Sequence, residues 1–275
     1  MKGLRSALLI AAVALSAAAD AGQRCVPLTN VEVLSKAFTL AQLARTELDK
    51  TDARVVLLAR IGQDLSDYGL TWSHAGFAVR DHPRGRWSVV HELNLCGTAT
   101  SAVHVQGLAN FYGDDLFAYR SVAYRLPAEL ETRLLPVLTT EAALMTHGAE
   151  YRLTAYPFSS KYQNSNGWII ETLAVAMAPE GAVVSRDTAQ SWLRSAGYRP
   201  TTLDIGWLKR LGGRVLKDIV SFDDHPPAQR WRGQIEVATV DSIFGFLQAR
   251  LDPARSGPDP LLHFGLPDAE ATAAP

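Results

Sequence analysis

The chain is short of several things that would decide its function at once. It carries 27 basic against 28 acidic residues, a formal net charge of -1, so it has no large excess of either sign. That balance removes the broad field by which a protein grips nucleic acid or an anionic membrane, and partners belong to local sites. It has no Gly-x-Ser-x-Gly elbow, no phosphate-binding Gly-Lys loop and no dinucleotide fingerprint. His91-Glu92 is not a zinc-protease motif, because Leu95 stands where the second histidine is required. There is no internal repeat and no linker long enough to separate two domains. With 47% hydrophobic and 20% charged residues over 275 positions, disordered, collagen-like and coiled-coil classes are excluded.

Long apolar runs are also scarce, and the one that exists is at the N-terminus. Lys2 and Arg5 precede an apolar stretch from Ala7 to Ala19, and Ala19-Asp20-Ala21 has the small residues of a cleavage site. The stretch is shorter than the roughly 20 residues needed to cross a bilayer. Residues 1–21 therefore read as a signal peptide, with no integral membrane segment after cleavage, and the protein is expected in the periplasm or secreted. Cys25 follows Gly22-Gln23-Arg24 and lacks the small apolar box of a lipoprotein. Only two cysteines occur. In an oxidising compartment Cys25 and Cys96 are expected to form a disulfide closing a loop of about 70 residues. Cys96 as a nucleophile is the alternative.

The remaining pattern predicts one α+β domain over residues 22–250. Helical spacing runs from Leu34 to Leu48, Arg54 to Arg60 is a buried-strand run, and Trp72–Arg80 and Trp87–Leu95 form a hairpin around a turn at 81–86. Leu116–Leu126 reads as a strand, and Pro127–Met145 as a helix kinked or divided at Pro136. Tyr151–Tyr156 reads as a strand, Gly167–Met177 and Asp187–Ala196 as helices, and Gln234–Val240 as a strand leading into a helix through Arg250. Arg210–Pro227 has mixed character. Residues 251–275, rich in Pro, Gly, Ala and Asp, are expected to be a loosely ordered tail.

Chemistry concentrates in three phrases: Ser73-His74-Ala-Gly-Phe-Ala-Val79, Val89-Val90-His91-Glu92, and Tyr162-Gln-Asn-Ser165-Asn166-Gly-Trp168. A serine at a helix start, a histidine on a strand and a polar group on the paired strand are the parts of nucleophilic acyl transfer. Ser165 is the candidate nucleophile, His74 the base and Glu92 the orienting group, with His91 as rival because adjacent strand residues face opposite ways. Asn164 and Asn166, with Trp72, Tyr162 and Trp168, are candidate cleft residues for a cell-envelope small molecule, glycan or peptide. The plainer readings are that Ser165 caps its helix, His74 sits at the core rim and the aromatics are core. Asp114-Asp115 reads as a solvated turn, and no metal or cofactor is expected.

The order of these phrases resembles the circularly permuted papain-like amidases of the NlpC-like superfamily, in which the histidine strand comes first and the nucleophile helix last. That resemblance implies an antiparallel sheet with packed helices and a cysteine nucleophile, whereas Ser165 occupies the best-matching position here. The leading expectation is an exported hydrolase-like protein that cleaves an amide or ester bond in the cell envelope through Ser165, His74 and Glu92, and the alternative is a catalytically inactive envelope binding protein that reuses the cleft. The wider text, including Leu93-Asn-Leu-Cys96-Gly-Thr98 and Gln106-Gly-Leu-Ala-Asn-Phe111, is similar to an uncharacterised family of exported bacterial proteins, a domain of unknown function. This second resemblance covers about Arg54 to Val240 and implies no activity.

Overall fold

The computed structural model describes residues 29–204, 219–251 and 259–267. The proposed signal segment, Cys25 and parts of the 210–227 and tail regions lie outside them. Six antiparallel strands make the central sheet, in the order β4-β3-β2-β1-β5-β8. They are β1 (Val55–Ile61), β2 (His74–His82), β3 (Gly85–Asn94), β4 (Ser101–Gln106), β5 (Ala118–Arg125) and β8 (Leu261–Gly265). β2 and β3 form the expected hairpin, closed by Pro83-Arg84 between the pair His82↔Gly85. Gly85 sits at φ 136°, backbone open to glycine and strained for other residues.

Helices cover both faces, which is why β1 is buried along its whole length. On one face lie α1 (Val31–Asp49) and the one-turn α2 (Leu108–Phe111), packed on Val56, Leu58, Ala78, Val89 and Ala123. On the other lie α3 (Ala128–Leu138), α4 (Ser165–Met177), α5 (Arg186–Ser195) and α7 (Val240–Leu251), packed on Leu57, Ala75, Phe77, Val90 and Tyr124. A separate two-stranded ladder pairs β6 (Thr201–Asp204) with β7 (Gln234–Val237), and α6 (Pro227–Arg232) leads into β7. The result is an α+β fold with a six-stranded antiparallel sheet.

Three expectations change. The helix containing Pro136 ends at Leu138 and a 3-10 turn follows at Glu141–Leu144, so the region is divided after the proline. Tyr151–Tyr156 is not a strand: only Tyr151 makes a bridge, and the backbone then turns, with Leu153 N bonded to Ile219 O and Tyr156 N to Asp224. Within the expected tail, Leu261–Gly265 pairs with β5 in register, Ser121↔Phe264 and Ala123↔Leu262.

Candidate functional site

Alternation along the strands sorts the candidate residues onto two faces. Phe77↔Val90 belongs to the α4 face and Ala78↔Val89 to the α1 face. Two residues beyond Val90, Glu92 therefore joins the α4 side, while His91, two beyond Val89, and His74, four before Ala78, join the α1 side. Gly76 permits this arrangement: a Cβ there would lie 2.5 Å from Val89 Cγ1 and 3.0 Å from His91 Cβ.

On the α1 side, His74 Nε2 is 2.9 Å from His91 Nδ1, and His91 Nε2 is 3.2 Å from Gln106 Oε1. Phe111 packs on both rings, with centroids at 5.9 and 5.4 Å. Burial lowers the His91 pKa to about 3, helped by the Arg60 and His104 charges and opposed by the Gln106 bond. His74 is held well below its ordinary value by burial first, then by Arg60 and His91. Both rings are thus neutral at neutral pH. With the Gln106 amide oxygen accepting, His91 Nε2–H donates to it, and His74 Nε2–H donates to His91 Nδ1. The chain leaves Nδ1 of the half-buried His74 as the acceptor. Arg60 closes the cluster: its guanidinium lies over the Phe111 ring at 5.2 Å and pairs with Asp114 at 2.5 Å. Asp114, read from sequence as solvated, is thereby engaged. No group of three or more ligating side chains could hold a metal among the described residues.

On the α4 side, Asn164 caps the helix. Its Oδ1 accepts from Gly167 N at 2.6 Å, while its Nδ2 donates to Leu153 O at 3.1 Å and Ala238 O at 3.3 Å. Ser165 is 8% exposed and lies beside Tyr151, whose hydroxyl is pushed up by burial first and then by the Glu92 carboxyl, against the pull of Ser165. Glu92 is wholly buried, and neither oxygen has a hydrogen-bond partner among the described residues. Burial, with the Glu171 charge in support, raises its pKa to about 8 against the pull of Ser101 and Arg186. Asn166 Oδ1 is likewise buried without a partner. Trp168 is core: fully buried, edge-on to Phe77, with Nε1 donating to Ala143 O at 3.1 Å. Trp72 and Tyr162 remain partly exposed.

The structure therefore brings His74 to His91 and Ser165 toward Glu92, and does not bring Ser165 to His74. Sequence reading missed the polar centre beside Ser165. Glu171 accepts from Gln163 at 2.7 Å, Gln190 at 2.7 Å and Arg186 Nε at 2.9 Å, tying α4 to α5 and the preceding loop. A carboxylate inside the apolar run of α4 was the available signal. A surface cleft of about 490 Å³ on the outer side of α5, lined by Phe158, Asp187, Gln190 and Arg194, contains none of the expected site residues.

Residues 47–247 match the family described as uncharacterized protein conserved in bacteria (DUF2145), and the chain belongs to it. No curated protein and no solved structure matches the chain.

Proposed function

We propose that this is an exported, non-catalytic binding protein of the cell envelope, periplasmic or secreted, built on a permuted papain-like (NlpC-like) arrangement. The observation that carries the reading is the separation of Ser165 and His74 onto opposite faces of the sheet. Acyl transfer needs its base within hydrogen-bond reach of the nucleophile, and here a packed sheet lies between them. The ligand class is a small envelope molecule, glycan or peptide, met at partly exposed rings such as Trp72 and Tyr162. Export rests on the N-terminal segment of the sequence. The Cys25–Cys96 bridge is part of the same reading, supported by the lack of any free thiol among the described residues. No helix among those residues is long and apolar enough to cross a membrane.

A second reading, cleavage of an amide or ester bond, is favoured by one feature, the hydrogen-bonded chain that orients a neutral His74. In it His91 replaces Glu92 as the orienting group. Incubation with a fluorophosphonate probe separates the two. Binding without catalysis leaves the wild type unlabelled, as it leaves Ser165→Ala and His74→Ala. Labelling of the wild type that disappears in both variants overturns the binding reading.

A further inference from the structure

The segment Pro226-Pro227-Ala228-Gln229-Arg230-Trp231-Arg232-Gly233 makes α6 and its exit turn. Trp231 is 89% exposed, although it carries one of the largest apolar side chains in the protein. Burying such a ring is favourable by an amount proportional to the apolar area removed from water, and the fold leaves that gain unrealised. The exposure is held by the local structure. Gly233, at φ 70°, reverses the chain into β7, and β7 is locked to β6 from Thr201↔Val237 to Asp204↔Gln234. Beneath the tip, buried His225 bonds Glu236 O at 3.0 Å, and Gln229 bonds the Glu236 carboxylate at 2.6 Å. The ring is therefore presented on a braced turn.

The charges carried by α6 itself have one sign, and the nearest acid across the ladder is Asp204, opposite Gln234. Arg230 and Arg232 are exposed on either side of Trp231, and neither makes an ion pair among the described residues. The acids of the same stretch are engaged elsewhere: Asp223 with Lys161, Asp224 with His225 and Glu236 with Gln229. From Pro227 to Gln234 no acidic residue occurs. An amphipathic indole between two unpaired guanidiniums is complementary to a surface that is apolar just beneath a layer of negative charge. Such a surface is an anionic phospholipid bilayer. A mixed-charge protein face would leave one of the flanking cations without a counterpart.

We infer that the α6 tip is a membrane-surface anchor, with Trp231 seated at the headgroup level and Arg230 and Arg232 on anionic phospholipid headgroups. This docking is separate from ligand binding at the faces of the sheet and stands whether or not that reading holds. The neutral charge of the whole chain makes the contact local, so the attachment is weak, reversible and sensitive to salt.

The test is co-sedimentation of the full chain with vesicles of phosphatidylcholine alone and of phosphatidylcholine mixed with phosphatidylglycerol, at low and high salt. The expected result is partitioning onto the anionic vesicles only, weakened by salt. Arg230→Gln and Arg232→Gln each lower the partition coefficient by about five-fold. Trp231→Ala abolishes both partitioning and the blue shift of tryptophan emission on vesicle addition, with the melting temperature unchanged. Failure of the wild type to sediment with anionic vesicles overturns the inference, as does equal binding to neutral vesicles or undiminished binding by Trp231→Ala.

Discussion

At neutral pH the Glu92 carboxyl is protonated in the folded protein and ionised in the unfolded chain, and stability must depend on pH for that reason. Its ordinary value is 4.5 and its folded value about 8. The folded state holds a proton that the unfolded state releases. Stability therefore falls as pH rises from near the unfolded value, and the fall levels off above the folded one. Glu92 is wholly buried and its oxygens have no hydrogen-bond partners among the described residues, so solvent does not screen the effect. Between pH 5 and pH 9 this single group removes about 4 kcal/mol of stability. Glu92→Gln keeps the shape and cannot ionise. Urea unfolding of both proteins across this range reads the effect together with its coupling to Glu171, while the buried histidines are common to both and cancel in the difference. The variant is expected to gain on the wild type by about 1.4 kcal/mol per pH unit through the middle of the range. Two stability curves that run parallel from pH 5 to 9 would refute the reasoning.

Gly76→Ala forces a methyl group against Val89 and His91. It should cost about 1–3 kcal/mol in urea unfolding, more than an alanine placed at an open glycine such as Gly245. His74, donating through Nε2, should titrate well below an ordinary imidazole in ¹⁵N-resolved imidazole spectra, because burial and the Arg60 charge disfavour its cation. In His91→Ala the Nε2 acceptor is gone, and the spectrum should change to that of a mixture of tautomers.

How much of this was legible in the sequence depends on what each feature rests on. β1 was readable because Val55–Ile61 is apolar throughout, as a strand covered on both faces must be. The β2–β3 turn was readable from Pro83-Arg84-Gly85. β8 was not, because Leu-Leu-His-Phe-Gly is defined by pairing with β5, and it lies among prolines, glycines and acids that dominate the local composition. Tyr151–Tyr156 looked strand-like because Tyr151 and Ala155 are buried, yet its backbone groups are satisfied by loops distant in sequence. Alternation showed that only one of His91 and Glu92 could face His74. The choice between them needed the register Phe77↔Val90, which neither strand carries alone. Ser165 was correctly placed at a helix start. Which face of the sheet that helix covers is a property of the topology, and helical periodicity contains no trace of it.

The strand order carries a consequence for how the chain assembles. β1 to β4 pair with their sequence neighbours, and β5 adds to the free side of β1, so these five strands can form from the first 125 residues. β8 comes from 261–265 and reaches the sheet only after nearly all the intervening helices have been made. Until then the outer edge of β5 presents unpaired N–H and C=O groups, an open template for another chain. Closing that edge is a late, long-range event. A chain cut before Leu261 would keep His74, His91, Ser165 and Glu92 and still be prone to self-association.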